Sequence, residues 1–235
     1  MELTNKLAIV GRLFFAIAMV AFGVQDFLYT GYVKGLELTP EWAPAHTFWA
    51  YLDGGLLIVG GLCIATRMKV RAGAIMVAAV YFASVLLLRV PRLGLDLHDI
   101  GERTLLLEPL AIGCGALFIA AMFLPAARVL FGITMIIFGI AHVQIPTFIA
   151  SLIPTWIPGA YFLSWFTGFA FIAAGVSMIT RWQIRIASLL LGLMFFLWVV
   201  VLHAPRVAAH LHNGNEWNSL MVALACCGAC WILAE

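Results

Sequence analysis

The chain has 235 residues, 64% of them hydrophobic and 10% charged, with a mean hydropathy of +1.07. Soluble domains carry about 25% charged residues, so this composition excludes a water-soluble globular fold. The net charge of +2, with Lys and Arg spread among short loops, is too small to suggest a nucleic-acid partner.

A bilayer core about 30 Å thick takes roughly 20 apolar residues per helix. Eight runs meet this, at about 8–30, 48–66, 72–91, 104–123, 127–145, 160–179, 186–204 and 217–234. They are too long for barrel strands of about 9–11 residues and read as helices. The first is interrupted by Arg12 and has no small-residue cleavage site, so it reads as a retained span rather than a signal peptide.

The first span, RLFFAIAMVAFGVQDF over 12–27, recurs at 128–143 as RVLFGITMIIFGIAHV. Arg12, Phe15, Ile17, Met19, Phe22 and Gly23 return 116 positions on, and such self-similarity bears on the whole architecture. At a spacing of 114 the match continues: Pro40-x-Trp42-x-Pro44 with Pro154-x-Trp156-x-Pro158, then Gly54, Gly61, Arg67 and Arg71 with Gly168, Gly175, Arg181 and Arg185. Pro91-Arg92 and Glu102 match Pro205-Arg206 and Glu216. The expected fold is therefore all-α and integral to the membrane, with eight transmembrane helices in two tandem four-helix repeats, 1–124 and 125–235. An even number of spans per unit makes the repeats parallel.

Gly54-Gly55 and Gly60-Gly61 give the second span a small-residue face for close packing, with Gly168, Ala174 and Gly175 as counterparts in the sixth. The 2–3 and 6–7 loops are basic and contain no acid, which predicts both termini in the cytoplasm. Trp42, Trp49, Trp156, Trp165 and Trp217 then fall near the outer interface, and Trp182 and Trp231 near the inner one.

A first helix ending in Phe-Gly, a Pro/Trp loop, a glycine-rich second helix (LDGGLLIVGGLCIATR) and a short basic turn into a third resemble the DoxX family. Each half resembles one DoxX-type unit. The resemblance implies a bacterial inner-membrane protein, and a redox-linked role beside quinone, since some members are subunits of a thiosulfate:quinone oxidoreductase. It supplies no catalytic motif to carry over, and the double-length chain departs from the single-unit form.

Polar groups inside a span are costly and mark candidate sites. Here they fall at the outer helix ends: Asp26, Asp53, Arg89, Arg92, Glu102 and Glu108 in the first half. The second half has His142, Thr167, His203, Arg206, Glu216 and Val222 at those positions. One reading makes them interfacial ion pairs that lock the bundle. The other makes Asp26, Asp53, Arg89 and Glu108 the catalytic lining of an outward cavity, where an arginine holds a quinone carbonyl and a carboxylate carries a proton. Arg92, His142, His203 and Arg206 are the candidate cofactor-binding residues, including axial histidines for a haem at His142 and His203. His210, His212 and Glu216 have the donor chemistry for a divalent metal, with Asp96, His98 and Asp99 in the sister loop, although an ordinary polar loop accounts for both. Cys227-x-x-Cys230, beside Cys226, reads as packing rather than a redox pair, because apolar burial suppresses thiolate chemistry.

Three functions fit. The first is a quinone-interacting oxidoreductase, or a subunit of one, served by a membrane or periplasmic redox partner. The second is a small-solute transporter or channel. The third is a non-catalytic scaffold whose apolar perimeter suits a homo-oligomer.

Overall fold

The computed structural model describes residues 2–29, 45–93 and 100–235, apart from the side chains of His46, Arg92 and Leu93. Among these residues every regular element is helical. Eight helical segments are long and apolar enough to cross a bilayer, as expected of a multi-pass membrane protein. The spans begin with α1 (Glu2–Tyr29), α2 (His46–Ala65), α3 (Val70–Ser84) and, after the short α4 (Val90–Leu93), α5 (Ile100–Ala120). Next come α6 (Leu124–Gln144), the short α7 (Pro146–Leu152), α8 (Ala160–Thr180), α9 (Ile184–Trp198), the short α10 (Ala204–Ala209) and α11 (Gly214–Leu233). The Pro40–Pro44 motif and the Asp96–Asp99 loop lie outside the described residues.

Two spans widen near their ends. Val85–Arg89 and Val199–His203 are π-helical, closed by i→i−5 bonds from Val90 N–H to the Val85 carbonyl and from Ala204 N–H to the Val199 carbonyl. Each lies just before a proline, Pro91 or Pro205, which has no N–H and whose ring clashes with the carbonyl four residues back. Widening the turn accommodates that ring and rotates the preceding side chains.

In lipid, helices associate through packing rather than the hydrophobic effect, so small residues decide where backbones meet. Gly23 and Gly54 face each other between α1 and α2. A Cβ on Gly54 would stand 2.8 Å from the Gly23 carbonyl oxygen. Gly139 meets Gly168 between α6 and α8 in the same manner, and Gly132 meets Gly175. Gly60 packs on Gly73 and Val77 of α3, whereas Gly55 borders open space.

Neighbours form a closed cycle. α1 packs on α2, α2 on α3, α3 on α5 and α5 on α6; α6 then packs on α8, α8 on α9, α9 on α11 and α11 on α1. α5 and α11 also touch each other and contribute to both apolar cores. One core centres on Phe15, Met19, Phe22 and Leu57, the other on Phe131, Met135, Phe171 and Met178. Each half thus lends a spanning helix to the other's core, and the second half adds Val207 of α10.

The end of the bundle where α1 begins, here the turn end, holds the tight connections. Arg67 and Lys69, Ala121 and Phe123, and Arg181 and Gln183 take left-handed backbone there. Arg12 pairs with the Glu235 carboxylate at 3.0 Å, and Arg185 donates to the Glu235 main-chain oxygen at 3.4 Å. Arg128, the sequence partner of Arg12, instead donates to the carbonyls of Met178 and Ile179 at the C-terminus of α8. Those carbonyls have no intrahelical donor, so the guanidinium caps the helix.

Trp231 lies near the turn end, as its place in the span implies, but it does not face outward. It is 6% exposed and packs between Phe14 and Phe196 over Gly192. Depth along a helix says nothing of which face a ring occupies, and this face of α11 points to the core. Trp156, Trp165 and Trp182 are exposed as an interfacial belt requires, while Trp42 lies outside the described residues. All five cysteines are free, and Cys114, Cys226, Cys227 and Cys230 are buried, in agreement with packing roles.

Candidate functional site

At the opposite end, here the loop end, charged side chains gather between α1, α2, α3, α5 and α11. The Gly23–Gly54 approach brings the last turn of α1 onto the first turns of α2. Asp26, 7% exposed, then lies within electrostatic range of half-buried Asp53. Tyr81 of α3 is buried within range of Asp26, Asp53 and Glu108. About two turns on, the π segment ends on Arg89, which is 2% exposed and within electrostatic range of Glu108. Glu108 is half-buried and followed by Pro109, and it lies beside the Asn218 side chain of α11.

Asp26, Asp53, Arg89 and Glu108 are therefore brought into one neighbourhood. Tyr81, Asn218, Gln25 and Ser84 join them, and none of these four stands out in the sequence. Each is a neutral polar residue within or beside an apolar run. The available signal was Gln25 beside Asp26, and Asn218 one turn after Gly214. Gln25 closes the circuit by donating from Nε2 to the Gly214 carbonyl at 3.4 Å. Several buried oxygens here lack a hydrogen-bond partner among the described residues: Gln25 Oε1, Asp26 Oδ2, Asn218 Oδ1 and Ser84 Oγ. Buried polar atoms are nearly always satisfied in native proteins, so such a group calls for an occupant.

The second half is filled differently at the corresponding positions. His142 binds the Phe138 carbonyl through Nδ1 at 2.8 Å and stacks on Trp198 with ring centroids 5.7 Å apart. Phe171, Phe195 and Trp198 pack edge to face around it. Phe195 and Trp198 lie 114 residues after Tyr81 and Ser84, so large rings stand where the first half has a phenol and a hydroxyl. Thr167, aligned with Asp53, spends its hydroxyl on the carbonyls of Leu163 and Ser164 of its own helix.

His203 ends the second π segment within range of Arg206 and Glu216, and its Nδ1 has no partner among the described residues. His142 and His203 are thus held by different partners. Arg206 bonds Glu216 at 2.8 Å. The proposed metal set of His210, His212 and Glu216 is not drawn together. Glu216 is turned to Arg206, and no group of three His, Cys, Asp or Glu side chains converges among the described residues. His210 and His212 instead line an open cleft of about 630 Å³ with Tyr29, Asn213 and Asn215. Arg92 sits in α4, and its side chain lies outside the described residues.

No protein-family model, no curated protein and no solved structure matches the chain.

Proposed function

We propose that the loop-end cluster of the first half is a binding site for a quinone headgroup, and that the protein is a DoxX-like oxidoreductase, or a subunit of one, in a bacterial inner membrane. The observation that carries this reading is the convergence of Asp26, Asp53, Arg89 and Glu108 with Tyr81 and Asn218 at one end of an otherwise apolar bundle. Fixed ion pairs alone would leave no reason for buried oxygens without partners beside them. A quinone's ring oxygens accept hydrogen bonds and match the donors of the cluster, the Arg89 guanidinium and the Ser84 hydroxyl, and its tail matches the apolar helix faces around them.

A bound quinone supplies two-electron, two-proton redox chemistry. Arg89, held by Glu108, orients a ring oxygen, and Asn218 fixes the Glu108 carboxylate. Asp26 and Asp53 exchange protons with the aqueous side at the helix ends. Electrons come from a membrane or periplasmic partner.

The repeat reading supports assigning this chemistry to one half. Two parallel units, 1–124 and 125–235, account for the paired glycine contacts and paired π segments. With both termini cytoplasmic, the cluster faces outward. A transporter is the weaker alternative, since the turn-end half of the bundle is packed with Phe15, Met19, Phe131, Met135 and Cys226, and its buried polar residues Thr4, Thr134, Ser177 and Ser188 are uncharged single hydroxyls on four different helices. A scaffold role or a homo-oligomer is compatible with the apolar perimeter and has no particular observation in its favour.

The test is extraction of the purified protein for quinone, followed by titration of Asp26→Asn, Arg89→Gln and Glu108→Gln variants with a short-chain quinone. Each variant weakens binding. If all three bind as the natural chain does, the proposal fails.

A further inference from the structure

The turn end of the bundle carries more cations than its acids can answer. Glu2 is paired with Lys6 at 2.6 Å and Glu235 with Arg12 at 3.0 Å, while Arg185 donates to the Glu235 main-chain oxygen. Arg67, Lys69, Arg71, Arg128 and Arg181 have no carboxylate within ion-pair distance among the described residues. Two of them are gathered at one point. The Arg128 guanidinium reaches from α6 to the C-terminus of α8, where the Met178 and Ile179 carbonyls accept from Nη1, the second at 3.1 Å. Arg181, two residues further along, opens the α8–α9 turn in left-handed backbone and lies within electrostatic range of Arg128.

The backbone of this turn is tied down while its side chains stay outside. The Ser177 hydroxyl donates to the Trp182 main-chain oxygen, and the Trp182 N–H donates to Thr180 Oγ1 at 3.4 Å. The Trp182 residue is nevertheless 75% exposed, and Arg181 beside it is exposed too. Val176 and Ile186, on the two spans that meet here, are exposed apolar side chains. A tryptophan ring favours the headgroup level, where its apolar body and its N–H are both served. Like charges held together without a counter-charge favour an anion, and guanidinium groups fit a phosphodiester through paired hydrogen bonds. A soluble anion would use the arginines alone, whereas a lipid uses the arginines, the indole and the apolar faces beyond them.

We propose that the α8–α9 turn, with Arg128, Arg181 and Trp182, binds the phosphodiester of an anionic phospholipid in the adjoining leaflet. This site is independent of the quinone reading, because it uses the opposite end of the bundle. A zwitterionic lipid has the same phosphate but brings a quaternary ammonium against two arginines, so it is disfavoured. The α2–α3 turn is the repeat counterpart, with Arg67 and Met68 lying 114 residues before Arg181 and Trp182. It lacks the arginine from a neighbouring span, since Arg12, the partner of Arg128, is turned to Glu235. Arg67, Lys69 and Arg71 therefore attract anionic lipid diffusely, and the bound headgroup belongs to the second half.

The experiment is native mass spectrometry of the delipidated full chain in detergent, titrated with a phosphatidylglycerol and a phosphatidylcholine of the same acyl chains. Phosphatidylglycerol is expected to bind about tenfold or more tightly, with a preference that shrinks as salt is raised. Arg181→Gln is expected to lower phosphatidylglycerol affinity about fivefold, the equivalent of about 1 kcal/mol for one basic residue near a headgroup, and to leave phosphatidylcholine binding unchanged. Arg67→Gln should leave both nearly unchanged. Circular dichroism checks that the variants are folded, and if either is not, the two-lipid comparison on the natural chain decides. Equal binding of the two lipids overturns the proposal. So does an equal loss in Arg67→Gln and Arg181→Gln, which would mean diffuse attraction without a site. Displacement of phosphatidylglycerol by inorganic phosphate, beyond that caused by chloride at equal ionic strength, would assign the arginines to a soluble anion and overturn the lipid as occupant.

Discussion

Replacing Gly54 by alanine adds one carbon at 2.8 Å from the Gly23 carbonyl oxygen, 3.0 Å from Asp26 Cβ and 3.2 Å from Phe27 Cε2. Gly55→Ala, one residue along the same helix, adds the same carbon where no other group lies within 4 Å. Both changes gain the same helix preference, about 1 kcal/mol, so that gain cancels when they are compared. What remains is overpacking. The first obstacle to the Gly54 methyl is backbone, which cannot rotate aside, so α1 and α2 must separate at a cost of about 1–3 kcal/mol. Gly55→Ala is therefore expected to be neutral or slightly stabilising, and Gly54→Ala to be less stable than it by about 1–3 kcal/mol. Reversible unfolding in mixed detergent–SDS micelles, followed by circular dichroism, measures the difference. Since Asp26 is itself displaced, Gly54→Ala should also weaken quinone binding, whereas Gly55→Ala should not. Equal unfolding midpoints for the two variants would refute backbone contact between these helices.

Arg12 and Arg128 are repeat counterparts with unequal work. Arg128→Ala removes charged hydrogen bonds to two helix-end carbonyls and should cost about 1.5–3 kcal/mol, whereas breaking the exposed Arg12–Glu235 pair should cost about 0–1 kcal/mol; the same unfolding assay separates them. Pro91→Ala restores an N–H and removes the ring that opens the π segment, so Arg89 should rotate and quinone affinity fall at nearly unchanged stability. Trp198→Ala empties the aromatic cluster around His142 and should cost about 3 kcal/mol without altering quinone affinity; lost affinity would move the site to the second half. Maleimide added to the folded protein should give one adduct, at half-buried Cys63, with Cys114, Cys226, Cys227 and Cys230 reacting only after unfolding, as mass spectrometry would show.

The eight spans were legible because hydropathy reports bilayer thickness directly. Their ends were less so. α1 extends back to Glu2, several residues before the apolar run, because backbone hydrogen bonding continues in water where hydropathy stops. Glycine spacing marked the packing faces of α2 and α8 but named neither neighbour, and did not separate Gly54, in contact, from Gly55, in open space. Charged residues within spans marked the site, since a charge in lipid is conspicuous. Tyr81 and Asn218 escaped notice because neutral polar residues hardly change local hydropathy. Asn218 also reaches Glu108 from the far half of the chain, a proximity only the assembled helices create. The π segments could have been suspected from Pro91 and Pro205 alone. Trp231 shows a different limit, since position along a span does not tell which face of the helix carries the ring.

The contact between Gly11 and Gly228 joins helices about two hundred residues apart, at a separation that allows no side chain on either. Spans enter a membrane in the order they are made. α1 therefore waits with its Gly11–Phe15 face uncovered until α11 arrives to cover it. Asn218 travels on that same later helix, so Glu108 gains Asn218 as a neighbour and Gln25 its carbonyl only when α11 docks. The polar cluster of the first half is thus completed by the end of the second, and any quality control that senses exposed polar groups in the membrane would act on the chain until then.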